Sequence, residues 1–206
     1  MSANCITRHK SKVKYMIYET IVSSISDNGV PHVTPFGIRM QDGLVVIAPF
    51  KPSTTLSNIL STGHAVVNLT DDVRIFAAAL AGKPIIDLTT ASKINGVRLT
   101  DLLAHKELKL VKFEDDETRP QLFLEIVHEE QHQPFQGFNR AQAAVIELAV
   151  LVSRLKRLPL EKICGEMDYL TIAIEKTAGP KELEAWGWLV EMVENHKAAL
   201  RSENLA

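Results

Sequence analysis

Lys51-Pro52-Ser53-Thr54-Thr55 gathers more phosphate-binding chemistry into one short stretch than any other part of this 206-residue chain. An ammonium, three hydroxyls and the free N–H groups of a helix start would converge there, as an oxyanion requires. Taken alone, the stretch also suits a loop with an ordinary hydroxyl N-cap. Its neighbours favour the phosphate. Thr34-Pro35-Phe36-Gly37 reads as an elbow that lays Thr34 and the backbone of Phe36 and Gly37 against the polar edge of a flat ring. A β-bulge forced by Pro35 is the plainer reading, and the two are compatible. Asn68 ends an apolar run and offers both a donor and an acceptor; the alternative is a strand-end turn residue. Together these residues point to a phosphate-bearing, ring-containing cofactor held on a β-barrel.

His128-Glu129-Glu130-Gln131-His132 matches the zinc-protease signature H-E-x-x-H, which requires both histidines on one helix face. Here it continues the β pattern Leu122 to Val127, and Pro134 follows closely. In a strand the two histidines stand roughly 13 Å apart, at about 3.3 Å per residue, too far to share one zinc. No third histidine follows at the expected spacing. Asp71-Asp72 and Asp115-Asp116 read as solvated turn carboxylates, and His32 and His64 as surface histidines. Arg140 has two open readings, a surface cation or a phosphate contact across a dimer interface. The sequence contains no legible Ser-His-Asp order, no G-x-G-x-x-G and no Walker motif.

The elements that must position these residues fall into two groups. Tyr15 to Ile25 and Val30 to Met40 read as strands joined by an Asp27-Asn28-Gly29 turn. Val30, Thr34, Phe36, Ile38 and Met40 share a face, and Pro31 and Pro35 make the second strand irregular or bulged. Leu44 to Ala48 is a buried strand. Thr54 or Thr55 caps a short helix ending near Gly63, and Ala65 to Leu69 is the next strand. Between Asp71 and Leu103, Val73 to Leu80 fits helix or strand, and Leu99 to Leu103 resembles a helical turn. Glu107 to Phe113 and Gln121 to His128 alternate about an acidic turn. About six strands suit a small closed barrel.

After Phe138 the period becomes helical. Asn139 caps a helix over Ala141 to Arg157, apolar on nearly all sides and closed by Arg154, Lys156 and Arg157. Pro159 opens a second helix at its first position, lined by Ile163, Met167, Leu170 and Ile174. Gly179-Pro180 breaks the chain, and Leu183, Trp186, Val190 and Val193 form the stripe of a third. The expected fold class is α+β: a six-stranded antiparallel split β-barrel over residues 1–138 and a helical region over 139–206, packed on the barrel or at a dimer interface.

With 46% hydrophobic residues the chain can build a sizeable core. A net charge of -2 favours neither nucleic acid nor an anionic membrane. The basic run Arg8, Lys10, Lys12, Lys14 reads as a solvated tail. Cys5 and Cys164 fit no metal or redox spacing, which suits a reducing cytoplasm, and no apolar run is long enough to span a bilayer.

The stretch K-P-S-T-T-L-S-N-I-L-S-T-G-H-A-V-V-N-L resembles the K-D-T-x-x-N-I…G-x-F-V-V-N-L segment of flavin-reductase-like, FMN-binding split barrels. I-Y-E-T-I-V, P-H-V-T-P-F-G-I and G-F-N-R-A-Q-A-A-V-I-E resemble domain-of-unknown-function family 447, a split-barrel family with a helical C-terminal part. The resemblance implies FMN as cofactor and a homodimer with the flavin near the subunit interface. It places Thr34, Pro35, Phe36 and Gly37 against the isoalloxazine. Lys51, Ser53, Thr54 and Thr55 fall at the phosphate, beside Phe50, and Asn68 by the ring or ribityl chain. Lys-Pro-Ser-Thr-Thr here replaces Lys-Asp-Thr there. Arg140 completes the candidate set. The function implied is a flavin-dependent oxidoreductase of unassigned substrate, linked by family context to tetrahydromethanopterin one-carbon metabolism. A non-catalytic flavin-binding or sensing homodimer and a structural dimer with an empty cleft are the competing readings.

Overall fold

The computed structural model describes residues 15–84 and 86–203. Cys5 and the basic run from Arg8 to Lys14 lie outside them. The strands are β1 (Tyr18–Ile25), β2 (Pro31–Gln41), β3 (Leu44–Ile47), β4 (His64–Leu69), β5 (Leu88–Thr90), β6 (Val97–Leu99), β7 (Ala104–Glu114) and β8 (Gln121–Gln131). The helices are α1 (Thr54–Thr62), α2 (Arg74–Ala81), α3 (Arg140–Val152), α4 (Leu160–Thr177) and α5 (Pro180–Glu203).

Six strands close an antiparallel barrel in the order β1-β2-β3-β8-β7-β4. Its inner face follows from period two. Val22, Val45, Ile47, Ala65, Val67, Leu108, Leu122 and Leu124 all turn inward, and Leu56 and Ile59 of α1 join them. The helix thus plugs the barrel end where β3 leaves and β4 enters. Gly29 turns β1 into β2 with φ at 77°, a value a side chain disfavours.

The anticipated elbow in β2 is absent. β1 and β2 pair without interruption from Tyr18↔Ile38 to Ile25↔Pro31. Pro31 and Pro35 stand four apart, so their missing donors fall on one side of the strand. β3 pairs with β2 only over Arg39–Gln41, so no described ladder continues along that edge.

The segment that resisted reading, Asp71 to Leu103, forms α2 and the small β5–β6 sheet. It lies over the outer face of β1 and β4. There Ile21 packs with Ile75, Phe76, Leu99 and Leu102, and the Ser23 hydroxyl donates to the Val97 carbonyl. Leu99 to Leu103 is the end of β6 and a bend, not a helical turn.

The helices make a second core. Ala141, Ala144, Val145, Leu148, Ala149 and Val152 of α3 meet Ile163 and Ile174 of α4 and Ala185, Leu189 and Val193 of α5. Val73 and Ala77, at and within α2, belong to this core as well. α3 stops at Val152, and Pro159 sits at the N-cap of α4 rather than inside it. The buried stripe of α5 runs through Ala185, Leu189 and Val193, while Leu183 is exposed. No helix among the described residues is long and apolar enough to cross a membrane.

Candidate functional site

The start of α1 carries a different cap from the one expected. Ser53, not Thr54 or Thr55, is the N-cap, and its Oγ accepts from the Leu56 N–H at 3.2 Å. The first turn holds no acidic residue, so its dipole is uncompensated. Thr54 is exposed, whereas Thr55 is buried and its Oγ1 has no hydrogen-bond partner. A buried hydroxyl left unpaired costs free energy and marks a place where an acceptor or donor is wanted. Lys51 Nζ lies 2.6 Å from an Asp115 carboxylate oxygen. Both side chains are substantially exposed, so the pair is weak and exchangeable.

Phe50 precedes this loop. Its ring is covered on one side by the Arg119 guanidinium, 4.9 Å from the centroid. Phe50 also lines a cavity of about 590 Å³ together with Arg154, Lys156, Arg157, Met192 and His196. Three cations within four residues therefore share a cavity with Phe50. In sequence they look like the basic end of a helix. Their crowding just before Pro159, beyond what one helix end requires, was the available signal.

The remaining candidates disperse. Thr34 and Pro35 line a cavity of about 250 Å³ with Glu19 and the helix residues Phe76, Leu80, Ile146, Ala149 and Val150, and it meets the Phe50 cavity at Ser153. Burial and the nearby Glu147 raise the Glu19 pKa, against Arg154. The Phe36 carbonyl accepts from the Thr20 hydroxyl at 3.0 Å. Gly37 is bare because its own chain fills the space: a Cβ there would meet Ile17 Cγ2 at 2.8 Å. Asn68 is wholly buried and its amide is used internally. Nδ2 donates to the Ile21 carbonyl and Ser23 Oγ, and Oδ1 accepts from the Leu99 N–H at 2.9 Å. Arg140 lies on a groove between α3 and α4 lined by Tyr169, Leu170, Ile172 and Ala173.

A second constellation emerges on the outside of β7 and β8. The H-E-x-x-H stretch is strand through Gln131, as its pattern indicates. The register sets His105 opposite Glu130 and Glu107 opposite His128. Thus a third histidine comes from upstream, across the hairpin. His105 and Glu107 are fully buried. Burial opposes ionisation of Glu107, but N–H bonds from Ser92 and Lys93, then His105 and Ile94, outweigh it and hold the carboxyl below its ordinary range. Burial pushes His105 down, with Glu107 pulling the other way.

A closed six-stranded antiparallel barrel, plugged by a helix after its third strand and followed by helices, is the split-barrel fold expected from the sequence. The chain belongs to the DUF447 family of proteins of unknown function: its N-terminal domain model matches residues 18–133 and its C-terminal model residues 139–191. An FMN-bound DUF447 protein of Methanosarcina mazei has a similar structure, with a TM-score of 0.74 and 19% identity. The match covers 85% of this chain and 94% of that one. Flavoredoxin of Methanosarcina acetivorans is similar at a TM-score of 0.51 and 12% identity, over 66% of this chain and 80% of that one. No curated protein matches the chain.

Proposed function

We propose that this chain binds FMN and acts as a flavin-dependent oxidoreductase. The observation that carries the reading is local. The acid-free first turn of α1, with the unpaired Thr55 hydroxyl, begins four residues beyond Phe50, and Phe50 shares a cavity with Arg154, Lys156 and Arg157. An aromatic ring, cations and helix N–H groups are the donor set of an aromatic nucleotide with a phosphate. The likeness of fold to an FMN-bound family member supports it.

Ser53, Thr54 and the first-turn N–H groups of α1 would hold the phosphate, with Lys51 released from Asp115 as a mobile countercharge. The flavin, once bound, supplies the hydride and electron chemistry. The chain orients it and sets its electrostatics. Residues 1–138 form the flavin-binding part in this reading, and 139–206 supply the basic wall. A second copy of the chain is the proposed partner. Exposed Met16, Ile17, Tyr18 and Met40 supply apolar surface for it, and sedimentation at twice the chain mass is expected.

The test is an FMN titration followed by flavin fluorescence and visible absorbance. Wild type should saturate at one FMN per chain. Arg154→Ala with Arg157→Ala should weaken binding at least about 100-fold, since charge-assisted bonds contribute ~1.5–3 kcal/mol each. Absence of saturable binding sinks the proposal. Unchanged affinity in the double variant moves the phosphate elsewhere. Turnover with reduced nicotinamide or a reduced pterin separates an oxidoreductase from a non-catalytic binder.

A further inference from the structure

The His/Glu ladder on β7 and β8 takes no part in the proposed flavin site, and its geometry is that of a prepared ligand set. Glu107 is fixed first. Its Oε1 accepts from the Ser92 N–H at 2.6 Å, and its Oε2 from Lys93 at 2.7 Å and Ile94 at 3.0 Å. Held as a carboxylate, it can only accept. His105 Nε2, 3.3 Å from Oε1, therefore carries the ring proton. That leaves a lone pair on His105 Nδ1, which faces His132 Nε2 at 2.9 Å, with the two rings stacked at 14°. One ligand atom from each of His105, Glu130 and His132 lies within 4.8 Å of the other two.

We propose that His105, Glu130 and His132 bind a divalent transition-metal ion of the zinc class, with Glu107 as the positioning carboxylate behind His105. Two imidazole nitrogens and one carboxylate are donors that zinc and cobalt accept. A ligating histidine that gives its other N–H to a carboxylate has a fixed tautomer and a more basic free nitrogen. Two metal–nitrogen bonds of about 2.05 Å at a tetrahedral angle span roughly 3.3 Å, so the 2.9 Å contact opens by a few tenths of an ångström on loading. His132 is exposed and free to make that adjustment. The trio His105, Glu107 and His128 is also close. It is the poorer set, because Glu107 would have to surrender backbone bonds that hold residues 92–94 on the barrel.

The experiment uses the full chain, stripped of metal and titrated with Zn²⁺ by calorimetry and with Co²⁺ by visible absorbance. One equivalent is expected, with a Co²⁺ spectrum displaced by Zn²⁺, and Zn²⁺ should raise the melting temperature. His132→Ala and Glu130→Ala should each weaken binding at least about 10-fold and remove the thermal shift, while Glu129→Gln retains both. Glu107→Gln, if it folds by circular dichroism, should shift the Co²⁺ band and weaken binding about 10–100-fold. The exposed variants decide the matter if it does not fold. No saturable uptake by wild type overturns the proposal. So does full uptake by His132→Ala, or uptake that only His128→Ala abolishes.

Discussion

At the scale of single residues, the buried Asn68 amide of β4 ties together β1 and β6. Its capacity to give and take hydrogen bonds is evident from its type, but the groups that use it sit on β1 and β6. β6 is three residues long, too short to show a period. Asn68→Ala should strand the Leu99 N–H and lower stability by about 1–3 kcal/mol, read as a shift in the urea midpoint with an unchanged slope. Thr55 gives the opposite expectation. Its Oγ1 is buried without a partner, so Thr55→Val should leave stability equal or slightly higher. A loss of more than 1 kcal/mol on the same measurement would show a hydrogen bond at that hydroxyl.

At the scale of elements, the latch between α2 and α5 illustrates how ends are tied. Asp72 accepts from the Arg74 guanidinium at 2.6 and 2.9 Å and lies 3.0 Å from Lys181 Nζ. Burial works against ionisation, but the Arg74 and Lys181 bonds prevail and hold the Asp72 carboxyl below its ordinary range. A depressed folded pKa contributes stability that is present above the unfolded value near 3.8 and fades as pH falls through the folded one. Asp72→Asn should therefore cost about 1–2 kcal/mol at neutral pH, discounted for the exposure of Lys181. The gap from wild type should close in acid, below the ordinary Asp range. A gap constant from pH 7 to pH 2 would contradict this origin. Beside it, Glu182 Oε2 accepts from the Gly179 N–H at 3.0 Å, the return half of a capping box. Glu182→Ala should lower the melting temperature through a loss of about 1 kcal/mol.

The same helix shows why a stripe misleads. Trp186 and Trp188 dominate the apolar count on α5, and Leu183 and Val190 extend the line through Trp186. The residues buried completely are the smaller Ala185 and Leu189, with Val193. Ala185 permits close approach of α5 to its neighbours, and the larger indoles pack at the margin. Hydropathy weights size, whereas close packing here selects its absence.

At the scale of the whole molecule, the barrel was readable because long strands repeat their period many times. β7 and β8, at eleven residues each, are long enough to read as strands despite the register shifts after Glu107 and Leu110. Asp71 to Leu103 was not readable, because Phe76-Ala77-Ala78-Ala79-Leu80 is apolar enough for either helix or strand. What decides it is tertiary: Phe76 packs on the barrel's outer face while Ala77 enters the helical core. The metal-ligand ladder was hidden for a related reason. Its His105 and Glu107 lie on β7 and its other members in the H-E-x-x-H stretch at the end of β8, so no one linear motif contains them all.

The helical core completes itself with Val73 and Ala77, residues borrowed from the first half of the chain. The connector between β8 and α3 is exposed, with Phe138 entirely so and Phe135 about half. Protease should cut there first. The two fragments should nevertheless travel together through native gel filtration and part only in denaturant. Severing that joint breaks a covalent bond without opening the interior, so the cut protein remains a single particle.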